Sequence, residues 1–280
     1  MKESQEQQTE QLENIEIELL LEGIFRHYGY DFRNYVFSSI RRRILHRMRE
    51  ERLQSISALQ ALVLHNKKSM SKLLGDLSIT VTEMFRDPSF FLTFRKNVVP
   101  LLRRYPFIRI WHAGCATGEE VFSMAILLYE ENLYHKTTIY ATDINEVALK
   151  GASRGVFPID KMQTYTANYL KAGGSRSFSE YYRAEGSEVI FHPFLSERVV
   201  FSRHNLVTDG SINEFNVIIC RNVLIYFDKT LQNRVHKLFY ESLGEEGILG
   251  LGNKESIRFS DHQNSYVEMG SKDKLYIKKG

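Results

Sequence analysis

Residues Phe107 to Leu128, FIRIWHAGCATGEEVFSMAILL, constrain the fold more than any other stretch. An apolar run holding Ile108, Ile110 and Trp111 ends in the small residues Ala113, Gly114, Ala116 and Gly118, and an apolar-periodic segment starts behind Glu119 and Glu120. This pattern predicts strand, tight turn and helix. Glycine has no Cβ, so such a turn brings backbone N–H groups and a helix N-terminus close to a ligand. Two acidic residues at the helix start would repel a pyrophosphate. The spacing is also neither G-x-G-x-x-G nor a P-loop, which lacks its Lys-Ser/Thr pair here. A cationic or hydroxyl-rich small molecule suits the turn better.

The next strand should complete that site. Thr138 to Asn145, TIYATDIN, runs apolar and β-branched up to Asp143, about one βαβ unit downstream of the glycine turn. In doubly wound folds a carboxylate at this strand end accepts hydrogen bonds from ribose hydroxyls, so Asp143 is the expected ribose ligand. A nucleoside held by acids, with no phosphate-binding turn, points to S-adenosylmethionine, whose sulfonium is positive.

Five motifs occur in one order: TEMFRD (Thr82 to Asp87), WHAGCATGEE (Trp111 to Glu120), ATDIN (Ala141 to Asn145), HNL (His204 to Leu206) and CRNVLIYFD (Cys220 to Asp228). Together they closely resemble the CheR family of bacterial chemotaxis receptor methyltransferases, over about residues 15 to 260. That resemblance implies an α/β, Rossmann-like S-adenosylmethionine-dependent methyltransferase sheet, an N-terminal all-helical domain and a small inserted antiparallel β subdomain. The expected boundaries are 1–76 for the helical domain, 77–90 for a linker contributing to the site, and 91–280 for the methyltransferase domain with an insertion at 156–201.

The residue patterns lead to a similar division. With 280 residues, 43% hydrophobic and 25% charged, the chain can build one large or two modest globular domains. Residues 15–28, 30–52, 57–65 and 67–76 show apolar positions at helical spacing, with Ser55 or Ser57 as a cap. The Gln- and Glu-rich residues 1–12 read as disorder or a frayed helix extension. SITVTEMF reads as extended; Asp87-Pro88 then predicts a cap and a helix to about Arg104. Strands and helices alternate from Phe107. The alternation lapses between Gly155 and Ser202, where strands at 188–191 and 198–201 are expected in the inserted subdomain. A docking role for that subdomain does not follow, and Lys229 to Leu243 should be a helix capped by Asp228.

No apolar run reaches the ~18 residues of a membrane span, and MKESQEQQTEQ has neither the basic nor the apolar part of a leader, so a cytoplasmic, soluble protein without membrane insertion is expected. Cys115 and Cys220 offer no disulfide framework or metal spacing and read as reduced packing residues. A net charge of +3 does not by itself imply nucleic acid. The stretch IRRRILHRMREER, however, places Arg41, Arg42, Arg43, Arg47, Arg49 and Arg52 around Ile44, Leu45 and Met48, a basic helix face suited to an acidic partner.

The resemblance, with elementary chemistry, then assigns roles. Glutamate methyl-ester formation is an in-line displacement at the sulfonium methyl group. A free glutamate, with pKa about 4.3, is already ionised and needs no general base. The enzyme must orient the carboxylate and hold the donor, leaving S-adenosylhomocysteine as product. Arg86 is the expected catalytic and donor-binding fork for a carboxylate, and Tyr226 the phenol on the target side. Thr80 and Thr82, on one side of an extended segment, are expected at the methionine end of the donor. Glu119 or Glu120 should neutralise the donor's amino group; adjacent on a helix, only one can face it. Ala113, Gly114 and Ile144 line the same pocket by resemblance, and Asn205 and Leu206 frame the adenine. Arg221 and Asn222, polar at the end of an apolar strand, are assigned to the pocket partly through backbone atoms.

The expected substrate is the helical signalling region of a methyl-accepting chemoreceptor, engaged through the arginine-rich helix. Alternatives are a family member acting on another signalling protein, or a cofactor-binding regulatory adaptor. A nucleic-acid methyltransferase is disfavoured, because the chain has no Asn/Asp-Pro-Pro-aromatic motif and no Pro-Cys pair.

Overall fold

The computed structural model describes residues 2–78, 80–258, 260–270 and 273–280, with side chains from residue 7 onward. The chain divides into two compact units: residues 1–79 with 226–231, and residues 80–225 with 232–280.

The first unit is helical: α1 (Lys2–Tyr28), α2 (Phe37–Glu50), α3 (Ile56–His65) and α4 (Lys67–Leu77). Each buries one stripe, such as Ile17, Leu20, Leu21 and Ile24 of α1 and Met70, Leu73, Leu74 and Leu77 of α4. Ser55 caps α3 by accepting from the Ala58 N–H, and Asn66 caps α4 by accepting from Lys68 and Ser69. Residues 2–12 are a regular extension of α1; Met1 lies outside the described residues. The helix expected from Tyr30 begins only at Phe37. Gly29, at φ +77°, ends α1. Backbone of the 226–228 segment then takes up the intervening groups, with the Val36 N–H donating to the Tyr226 carbonyl (2.8 Å) and the Asp228 N–H to the Asn34 carbonyl (2.9 Å).

Three of the five arginines of α2 are engaged within the helical unit. Arg41 pairs with Glu13, Arg47 with Asp76 and Glu51, and Arg43 donates to the Asp76 carbonyl. Arg42, Arg49 and Arg52 are exposed and have no carboxylate partner among the described residues.

The second unit opens with α5 (Pro88–Thr93), a π-helical turn at Phe94–Val98 and α6 (Val99–Leu102). It continues through β1 (Ile108–Ala113), α7 (Glu119–Glu130), β2 (Thr137–Asp143), α8 (Glu146–Arg154), β3 (Val156–Pro158), α9 (Met162–Lys171), β4 (Tyr182–Glu185), β5 (Glu188–Phe191), β6 (Val199–Arg203) and β7 (Phe215–Cys220). Last come α10 (Lys229–Ser242), whose first three residues are counted with the first unit and whose Leu231 N–H donates to the capping Asp228 carboxylate, then β8 (Leu243–Leu251), β9 (Tyr266–Glu268) and β10 (Leu275–Lys278). The main sheet has the order β6-β2-β1-β7-β8-β10-β9, parallel except at β10 and β9. Its central strands are mostly apolar and buried, with Arg109 of β1 exposed and Asn216 of β7 half-buried near their starts. The strand order reverses between β1 and β7, so ligands should gather beyond the carboxyl ends of these strands.

Two expectations need correction. The strand expected at 198–201 as part of the insertion is β6, which pairs parallel with β2 in the main sheet; the small antiparallel sheet is β3-β5-β4. Alternating pattern alone cannot say which sheet a short strand joins. Asp87 does not cap the following helix: its backbone is left-handed and its carboxylate pairs with Arg221. Among the described residues no helix is long and apolar enough to cross a membrane.

Candidate active site

Strand register brings the motif residues to one edge. Ala113 of β1 lies opposite Thr142 of β2, Asp143 opposite Arg203 of β6, and His112 opposite Ile219 of β7. The loops after all four strands therefore emerge together.

The glycine turn is cinched onto β2. The Gly114 and Cys115 N–H groups donate to the Thr142 carbonyl (2.8 and 2.9 Å), and the Ala116 N–H donates to the Asp143 carboxylate (2.9 Å). Gly114 has φ +81°, and a Cβ there would stand 2.6 Å from a Val223 methyl group, so only glycine fits. The second Asp143 oxygen accepts from the Asn145 N–H (2.9 Å). No cation faces this carboxylate among the described residues, and burial pushes its pKa up despite the backbone donors. With a third backbone donor at Ile144, three of the carboxylate's roughly four acceptor sites are used, and the capacity that remains suits a hydroxyl-bearing ligand. Ile144 beside it is half-buried.

The two glutamates at the start of α7 have different fates. Glu120 accepts from the Arg221 guanidinium (2.9 Å) and contacts His112 Nδ1 (3.0 Å). Burial raises its pKa, but these two partners outweigh it and hold the carboxyl below the usual range. Glu119, 7% exposed, has only neutral partners: the Thr117 hydroxyl at 2.6 Å and the Tyr165 hydroxyl at 3.4 Å. Burial therefore pushes its pKa up. Of the pair, Glu119 is the carboxylate still available to a cation.

Arg221 stands at the carboxyl end of β7 with its side chain turned inward. Its side chain, 1% exposed, is tied through both terminal nitrogens to Glu120 and Asp87 and lies over the Phe90 ring at 4.3 Å, while its Nε has no hydrogen-bond partner among the described residues. Asn222 follows in left-handed backbone (φ 63°), with its N–H donated to Glu255. Asn205 uses its side-chain oxygen on the Val207 N–H (3.0 Å); its amide nitrogen has no hydrogen-bond partner among the described residues. Leu206 is buried beside it.

Thr80 and Thr82 flank Val81, which is 80% exposed. The Thr80 carbonyl accepts a long, 3.5 Å contact from Thr117, which brings this segment to the start of α7. Arg86 makes only a 3.5 Å approach to the Val81 carbonyl, and no carboxylate pairs with it among the described residues. Its neighbours Phe85 (φ 50°) and Asp87 (φ 54°) are both left-handed, a conformation that costs about 1–2 kcal/mol each for non-glycine residues. Tyr226 belongs to the helical unit, where Arg43 lies 5.8 Å from its ring centre.

Two residues that sequence reasoning missed shape these loops. Ser123 accepts from the Phe85 N–H (2.8 Å) and donates to the Glu119 carbonyl (2.6 Å). A serine inside the apolar run VFSMAILL was the available signal, since a buried hydroxyl needs partners. Glu255, 5% exposed, accepts from the N–H groups of Asn222, Val223, Leu224 and Gly252 at 2.6–2.9 Å and so pins the turn after β7. It lies outside all five motifs, and nothing in its local sequence marks it.

The chain matches the model for the CheR methyltransferase, all-alpha domain, over residues 15–78 and that for the CheR methyltransferase, SAM binding domain, over residues 80–274. A provisionally named methyltransferase Cher3 of Pseudomonas putida is 49% identical over 265 residues, which is 95% of this chain and 97% of that one. The chain belongs to the CheR methyltransferase family. Family members include chemotaxis protein methyltransferase 2 of Pseudomonas aeruginosa, 32% identical over 66% of each chain. Another is the chemotaxis protein methyltransferase of Listeria innocua, 27% identical over 83% of this chain and 86% of that one. The cofactor of the family's binding domain is S-adenosylmethionine. The residues present suit it: a glycine turn too tight for any Cβ, and two carboxylates, the buried Glu119 and the half-buried Asp143, without a cation of their own among the described residues. S-adenosylmethionine supplies an electrophilic methyl group.

Proposed function

We propose that the protein is a protein-glutamate O-methyltransferase acting in the cytoplasm on the helical signalling region of a chemoreceptor. The observation that carries this reading is the Arg86 guanidinium, presented on a strained turn with no carboxylate of its own. The buried arginine beside it, Arg221, is paired with Glu120 and Asp87. A guanidinium kept free in this way is suited to a carboxylate brought by a ligand.

In this reading Arg86 grips the donor's carboxylate, with Thr80 and Thr82 beside it, while Glu119 meets the donor's ammonium. Asp143 takes the ribose hydroxyls, and Asn205 and Leu206 frame the adenine. The Arg221 and Asn222 backbone and the Ala113, Gly114 and Ile144 wall complete the pocket. The target glutamate arrives ionised, so the protein has only to align it and exclude water. Exposed Arg42, Arg49 and Arg52 on the helical unit complement an acidic helical target.

Incubation of the purified protein with methyl-labelled donor and receptor cytoplasmic fragments should place label in protein as base-labile ester. Base-stable label, or label confined to nucleic acid, refutes the reading; absence of transfer with intact donor binding favours a regulatory adaptor and refutes it equally.

The ionisation of Glu119 gives a second expectation. Burial raises its folded pKa, and only the ionised form attracts the donor's ammonium. Affinity for S-adenosylhomocysteine, which retains that ammonium, should therefore fall as pH drops through a range above the ordinary carboxylate value. Glu119→Gln should bind about tenfold more weakly at neutral pH and lose the part of this dependence that Glu119 supplies, leaving that of Asp143. Calorimetric titration between pH 5 and 8 checks it; an unchanged pH profile in the variant would remove Glu119 from the pocket.

A further inference from the structure

The turn that presents Arg86 does not hold itself. Two of its residues, Phe85 and Asp87, are left-handed non-glycines, and a free peptide of this sequence would relax to ordinary backbone. Inside the protein, Phe85 is fixed by burial between the Phe91 and Tyr169 rings, 5.1 and 5.3 Å away, and by the Ser123 hydroxyl. Asp87 and the Arg86 carbonyl are fixed by one group, the Arg221 guanidinium. Its Nη2 donates to the Arg86 carbonyl (3.0 Å) and to the Asp87 carboxylate (2.7 Å), while Nη1 is tied to Glu120 (2.9 Å). Rotation of Asp87 to a negative φ would swing the peptide between residues 86 and 87 and carry that carbonyl off Nη2. A buried arginine costs desolvation free energy that simple ion pairing seldom returns, so its retention calls for a purpose.

We infer that Arg221 is a positioning residue for Arg86: its guanidinium holds the Arg86 carbonyl and left-handed Asp87 in place and thereby aims the Arg86 side chain at the donor. Arg221 does not touch the ligand with its side chain; it acts through the turn. The inference rests on the reading of Arg86 as a donor ligand, and the test separates the two.

The full chain carries Arg221→Lys, which keeps a charge against Glu120 but loses the fork, or Asp87→Asn, which weakens the same clamp from its half-exposed side. Both are compared with Arg86→Ala and with the double variant Arg221→Lys/Arg86→Ala. Hydrogen exchange of the Phe85 amide should quicken at least about tenfold in either clamp variant, with β1 and β2 unchanged. Affinity for S-adenosylhomocysteine should fall about tenfold in either clamp variant. Added to Arg86→Ala, the Arg221 change should cost no more than about twofold further, since it acts through the residue already removed. Unchanged exchange, or losses that multiply in the double variant, overturn the inference. Should Arg221→Lys fail to fold, Asp87→Asn decides the same outcomes. Unchanged affinity in Arg86→Ala alone would instead sink the reading of Arg86, while exchange still decides whether Arg221 holds the turn.

Discussion

Arg86→Ala is expected to lower kcat/KM for methyl transfer about 10²–10³-fold, the range seen when one preorganised hydrogen-bond donor is removed from an active site. The folded state should scarcely notice. Arg86 has no ion pair to lose among the described residues, and its one polar approach is 3.5 Å long, so the change in stability should stay within about 0.5 kcal/mol. The combination is diagnostic, because a structural arginine such as Arg221 would lose stability first. Steady-state kinetics and a thermal melt on the same preparation check it. Turnover within about twofold of the parent would take Arg86 out of the site.

Asp143→Asn should weaken binding of S-adenosylhomocysteine about 10²-fold, because hydrogen bonds to an ionised acceptor contribute about 1.5–3 kcal/mol. The substitution also damages the apoprotein. Both Asp143 oxygens accept backbone N–H groups, from Ala116 and Asn145, and an amide would turn its own NH₂ against one of them. A stability loss of about 1–2 kcal/mol follows. The pH dependence carries a definite sign. Asp143 is an acid whose folded pKa is raised by burial, so its ionisation opposes folding. Its contribution favours the folded state at low pH and is lost as pH rises from the unfolded to the folded pKa. Parent and variant should therefore differ least in stability at neutral pH and most in mild acid. Equilibrium denaturation at several pH values measures this; a difference that shrinks in acid would contradict the burial argument.

The parts of this account that were legible in the sequence are those with short-range signals. The glycine turn and the β2 carboxylate both follow from backbone geometry within a few residues. So do the Ser55 cap and the Asp228 cap. The choice between Glu119 and Glu120 could not be read locally, because it is made by Arg221, a hundred residues later, which claims Glu120. Asp87 followed by proline looks like a cap for the same reason: the distant arginine that takes its carboxylate is invisible in the dipeptide. Tyr30–Val36 has helical spacing, yet backbone groups of residues 226–228 compete for its hydrogen bonds and win. Glu255 carried no signal at all, since its function is to accept four N–H groups that only the folded chain brings to it.

The central claim is that the donor's methyl group is delivered to a glutamate carboxylate. Tandem mass spectrometry of a chemoreceptor fragment after turnover tests it most directly. The account predicts a methyl ester on glutamate side chains of the helical signalling region, removed by mild base and missing when Arg86→Ala replaces the parent. A methyl group on a nitrogen, stable to base, would contradict it.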